Sequence, residues 1–98
     1  MNREIKRHLD EQAVIITSCM MELGQEIDPY SISTTSPEYI QLVYDMVTDL
    51  HMGMTKYYIQ ILDETIDGYS DDENIVKQAT DLIEDLKEYQ AAFDKAIA

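Results

Sequence analysis

The stretch that comes nearest to a ligand-binding motif runs from Asp63 to Asn74, Asp-Glu-Thr-Ile-Asp-Gly-Tyr-Ser-Asp-Asp-Glu-Asn. Set against the twelve-residue calcium loop, it has acids at positions 1, 5 and 9, a threonine at 3 and a glycine at 6. It departs where a cation would be gripped. The twelfth residue is Asn74, which lacks a bidentate carboxylate, and Ser70 stands where an aliphatic residue is usual. A helix–turn–helix junction accounts for the same residues, so no calcium is expected. The two histidines, His8 and His51, belong to different segments with no partner at zinc spacing. Asp49 and His51 are two residues apart and would point to different helix faces. Both histidines are expected at solvated or edge positions.

Two further sets of residues carry weaker signals. Asp81-Leu82-Ile83-Glu84 and Asp85-Leu86-Lys87-Glu88 resemble the paired acids of all-helical nucleotide pyrophosphatases. Their acids, however, point away from the Leu82 and Leu86 side, where a magnesium site inside a bundle would lie. Cys19, the single cysteine, neighbours apolar Met20 and reads as a small buried hydrophobe; it also fits a reducing compartment. No phosphate loop, nucleophile elbow or kinase signature occurs. The expectation is a protein that is not an enzyme and takes no cofactor.

These residues must be positioned by helices. Leu9, Ala13, Ile16, Met20, Leu23 and Ile27 alternate at spacings of 4 and 3, as do Ile40, Val43, Val47, Leu50, Met54, Tyr57 and Ile61. Ile75, Ala79, Leu82, Leu86, Tyr89, Phe93 and Ala96 follow a similar rhythm. Such spacing draws a stripe along a helix, whose turn takes ~3.6 residues. No segment shows the two-residue alternation of a strand. Asp28-Pro29 closes the first segment, and Ser36-Pro37-Glu38 reads as a cap opening the second. Gly68 is placed to end it in a left-handed conformation, and Ser70-Asp71-Asp72-Glu73 reads as a capping box for the third. The prediction is an all-α single domain, an antiparallel three-helix bundle with helices near 3–27, 37–66 and 71–97. Tyr57, Tyr89 and Phe93 are expected in the core.

The middle segment has a second apolar stripe, Met52, Thr55, Ile59, Leu62 and Ile66. In one continuous helix it would lie roughly 150° from the first. A helix apolar on two opposed sides needs a cover for both, and a second copy would supply one, so a homodimer is expected. Gly53, inside that segment, reads as a close backbone approach or a tolerated helix glycine.

Charge bounds the function. Seven Lys and Arg against 20 Asp and Glu leave a formal charge of −13. That balance disfavours direct binding of nucleic acid or of an anionic membrane surface. No apolar run is long enough for a signal peptide or membrane span, so the cytoplasm is expected. Asp63, Glu64, Asp67, Asp71, Asp72, Glu73, Asp81 and Asp85 are the candidate surface for a basic protein partner. Tyr30, Tyr39, Tyr44 and Tyr69, with Met52, Ile59, Leu62 and Ile66, are the candidate apolar and aromatic contacts. In size, charge and tyrosine content the chain resembles small acidic helical proteins of phages that imitate DNA or block host defence enzymes. That resemblance implies an inhibitor or adaptor whose partner binds nucleic acid. The alternative is an immunity or antitoxin subunit that grips a toxin through an apolar stripe.

Overall fold

The computed structural model describes residues 1–98. It is all-helical and has four helices rather than three: α1 Arg3–Ile27, α2 Glu38–His51, α3 Thr55–Gly68 and α4 Glu73–Ile97. They run up, down, up, down. Glu26 of α1 meets Asn74 and Gln78 of α4, so those two are antiparallel. Asp10 of α1 meets His51 at the end of α2, and Thr55 at the start of α3 donates to Gln90 late in α4. The shortest extent is 17 Å, against 42 Å along the bundle, which corresponds to two layers of helices.

The expected middle helix is broken at Gly53. Its φ is +82°, a left-handed conformation that β-carbon crowding makes costly for other residues. The Met54 amide donates to Asp49 O (3.0 Å) and the Gly53 amide to Leu50 O (3.2 Å). That pair of bonds is the Schellman closure, which satisfies the last carbonyls of α2 and reverses the chain. Gly53 is therefore the C-terminal stop that was expected at Gly68. Gly68 is the final residue of α3 with ordinary negative φ.

The break also resolves the two apolar stripes. Val43 and Leu50 of the first are buried in α2, whereas Thr55 and Leu62 of the second are buried in α3. The hairpin turns each half so that a different stripe faces inward. What the first stripe would have continued into, Met54, Tyr57 and Ile61, is left exposed. Ile40, at its other end, is also exposed. The two-sided helix that called for a second copy thus does not exist, and Tyr57 is not a core residue.

The core joins Leu9, Ala13, Ile16 and Leu23 of α1 and Leu50 of α2 to Leu62 of α3. From α4 it takes Ile75, Ala79, Leu82, Ile83, Leu86 and Tyr89. Ile59, Ile66 and Phe93 pack against it. Two helix starts differ from expectation. Asp72, not Ser70, caps α4, its carboxylate accepting from the Asn74 and Ile75 amides. Ser36 makes no side-chain cap; α2 starts after Pro37, and the Ser36 hydroxyl is buried without a partner.

Candidate functional site

Antiparallel packing gathers charge into poles that the linear sequence only hints at. The C-termini of α1 and α3, the connection 69–72 and the N-termini of α2 and α4 meet at one end. That half of the bundle carries Glu22, Glu26, Asp28, Glu38, Asp63, Glu64, Asp67, Asp71, Asp72, Glu73, Asp81, Glu84 and Asp85, and among the cations only Lys77. The other six of the seven Lys and Arg, Arg3, Lys6, Arg7, Lys56, Lys87 and Lys95, lie in the opposite half. Lys77 pairs with Asp81 at 3.2 Å, a solvated i,i+4 contact of small worth.

All eight acids expected to meet a partner are exposed. They do not share one flat face. Asp81 and Asp85 line a cleft between α1 and α4 with Glu22 and Cys19. Asp63, Glu64 and Asp67 stand on α3. Asp71, Asp72 and Glu73 bridge the two sets around an open hollow of about 580 Å³ that Tyr69 and Asn74 also line. Since Asp63 through Gly68 are helical, they cannot wrap a cation as a calcium loop does.

The acids on α1 and α3 are held against local preference. Neither α1 nor α3 has a basic residue in its last turn, and acids crowd both C-termini, the negative ends of their dipoles. Glu22 with Glu26, Asp63 with Asp67 and Asp81 with Asp85 are like-charged neighbours one turn apart, each unfavourable by a few tenths of a kcal/mol. Partial relief comes from Glu26, which accepts from Asn74 Nδ2 (2.7 Å) and Gln78 Nε2 (2.8 Å).

The apolar and aromatic candidates divide. Tyr30, Tyr44, Met52 and Tyr69 are exposed, Tyr30 almost wholly at 97%. Tyr39 is half-buried. Leu62 is in the core, and Ile59 and Ile66 pack on it facing inward. Leu62 is thereby closed to a partner, and Ile59 and Ile66 are partly covered.

The opposite pole contains a cluster that sequence spacing did not reveal. His51 Nε2 lies 3.0 Å from Asp10 Oδ1, and Lys6 Nζ lies 3.0 Å from Asp10 Oδ2. The imidazole also stacks near Tyr89 and Phe93, at centroid distances of 6.4 and 6.1 Å. Tyr89 is buried and its hydroxyl has no hydrogen-bond partner. Burial, and secondarily the Asp10 charge, push that hydroxyl up to about 12. The cluster joins α1, α2 and α4. Its members His51 and Tyr89 are 41 and 79 residues from Asp10 in sequence, beyond the reach of local periodicity.

Two other side chains depart from expectation. Cys19 is exposed rather than buried. Partial burial, then the charges of Glu22 and Asp85, raise its thiol, which lowers the thiolate fraction that nucleophilic chemistry needs. Tyr58, unmarked in the sequence, donates its hydroxyl to Asp49 Oδ2 at 2.6 Å and ties α2 to α3. No helix is long and apolar enough to cross a membrane. Protein families, curated proteins and solved structures offer no match to the chain.

Proposed function

We propose that the protein is a non-enzymatic binding module whose acidic pole docks on a basic protein partner, as an inhibitor or adaptor. The observation that carries this reading is the segregation of charge. Thirteen carboxylates lie in the half of the bundle that holds the C-termini of α1 and α3, whose dipoles oppose them, with one cation among them. A bundle selected for solubility alone has no reason to concentrate that repulsion at one end. A cationic partner relieves it on binding, and the long-range field speeds encounter. Tyr69, exposed at the rim of the hollow, supplies an aromatic anchor beside the charge. A partner that itself binds nucleic acid, as in the phage proteins of similar character, has the required basic groove. Cytoplasmic location belongs to the same proposal.

The test is capture of a partner from native lysate at two salt concentrations, with association rates then measured on the purified pair. Asp71→Lys with Glu73→Lys is expected to slow association while leaving helical content unchanged. Affinity that ignores both salt and the charge reversal would overturn the reading.

The immunity or antitoxin alternative keeps one supporting observation, a set of exposed apolar residues. With Ile59 turned inward, the surface that best suits it is the α1–α2 side, where Val14 and Tyr44 border a cleft of about 290 Å³. Tyr44→Asp, in place of Ile59→Asp, then separates the two readings: it abolishes an apolar grip on a toxin and leaves the affinity of one acidic pole for an oligolysine peptide unchanged. A homodimer remains part of the proposal, though not through the second stripe.

A further inference from the structure

The face of α1 turned away from the core is unlike the solvated face of an ordinary bundle helix. At ~100° per residue, Arg7, Glu11, Val14, Ile15, Ser18 and Glu22 lie opposite the Leu9, Ala13, Ile16 and Leu23 stripe. Val14 and Ile15 are 45% and 63% exposed, at the midpoint of a 25-residue helix. Beside Val14 on α2 stands Tyr44, 71% exposed, with Ile40, 69% exposed, one turn nearer the start of α2. The charges on either side of the apolar centre differ. Towards the helix start the cations Arg3, Lys6 and Arg7 stand among Glu4, Asp10 and Glu11; towards its end α1 has no Lys or Arg, only Glu22 and Glu26, with Asp81 across the cleft to α4.

We propose that this face pairs with a second copy of itself, α1 running antiparallel to α1 about a two-fold axis between Val14 and Ile15. Reversal about that point carries residue 7 onto 22, so each Arg7 meets the Glu22 of the other copy. A parallel pairing would oppose like charges at both ends. The same operation sets each Val14 against the Ile15 of the other copy, and closes Tyr44 over them on the α2 side. Asp85 and Glu88 border the α4 side next to Ile15, so the crossing opens there. Arg7 is available: its one ion pair, with Glu11, is loose at 3.9 Å and solvated. A two-fold interface is isologous, and self-complementary charge about an apolar centre is what such symmetry requires. The dimer directs its two acidic poles to opposite ends, making the assembly bivalent for a basic partner.

This deepens the homodimer of the proposed function and is independent of what the acidic pole binds. Sedimentation equilibrium of the full chain is expected to show a monomer–dimer equilibrium. Ile15→Asp and Val14→Asp, at exposed positions, are expected to abolish dimerisation with helical content intact. Arg7→Glu weakens the dimer roughly tenfold, since each change counts twice, and adding Glu22→Arg restores it. Orientation is read in a Cys19→Ser background by mixing Arg7→Cys chains with Glu22→Cys chains. Mixed cross-links are expected in excess over self-linked ones. A chain that stays monomeric at all concentrations, a dimer indifferent to Ile15→Asp and Val14→Asp, or self-linked products in excess overturns the proposal. Binding of an oligolysine peptide to the Ile15→Asp monomer reports on the acidic pole separately, so the two proposals can fail apart.

Discussion

Tyr89 sits where three helices meet, and its chemistry there is set by what surrounds it rather than by its neighbours in sequence. Its buried hydroxyl faces His51 and the Asp10 charge without a hydrogen-bond partner. Ionisation of a group raised from 10 to about 12 is disfavoured by folding. Its contribution to stability is therefore complete below pH 10 and is lost as pH climbs through about 12. Tyr58 is raised in the same direction by burial and by its bond to Asp49. Tyrosinate absorbance followed with circular dichroism should show two of the seven tyrosines ionising late, together with alkaline unfolding. Tyr89→Phe keeps the ring and removes the orphaned hydroxyl. It is expected to leave stability at neutral pH unchanged or higher by about 1 kcal/mol in urea denaturation, and to flatten the alkaline loss. A cost of several kcal/mol would mean that the hydroxyl is hydrogen-bonded after all.

Elements are decided by single residues in two places. Gly53 separates a 14-residue α2 from a 14-residue α3, and the hairpin selects which apolar stripe each one buries. Nothing crowds a β-carbon at Gly53, so substitution there meets only the left-handed backbone. Gly53→Ala is expected to cost roughly 1–2 kcal/mol by thermal or urea unfolding, and Gly53→Asn less, because asparagine tolerates that region. Equal costs for the two would show that φ is not the reason. The stripes give a second contrast. Leu50→Ala should lose about 2–5 kcal/mol, whereas Ile40→Ala, on the same periodic seam but exposed, should stay within about 0.5 kcal/mol. Urea midpoints distinguish the two directly.

At the scale of the whole molecule the controlling quantity is −13 of formal charge, unevenly placed. Screening of the acidic pole should raise the melting temperature as salt increases, the opposite of what a bundle held by surface ion pairs would show. Asp67→Lys near the end of α3 removes a like-charged neighbour and places a cation at the negative end of the dipole. It is expected to stabilise by about 0.3–1 kcal/mol while slowing association with a basic partner. Stability and binding moving together would contradict a pole maintained for recognition. If α1 pairs as proposed, each dimer carries two such poles, and loss of dimerisation should reduce avidity without altering the affinity of one pole.

Local information was enough for much of this molecule. The 3-4 rhythm of α1 and α4 is legible because each keeps one inward face for 25 residues, and Asp28-Pro29 stops α1 where steric exclusion requires. The acids were legible as residues, since charge is a property of the sequence itself. What periodicity could not supply was the reversal at Gly53. Two stripes on one long helix and one stripe on each of two short helices read alike until the chain is folded back. The same limit hid the His51, Asp10 and Tyr89 cluster and turned Leu62 from surface to interior, with Ile59 and Ile66 partly covered. Sequence alone set helicity, composition and net charge, because these depend on residues a turn apart or on none. The fold decided which faces close and where charge accumulates, because burial and electrostatic fields sum over groups that only packing brings near one another.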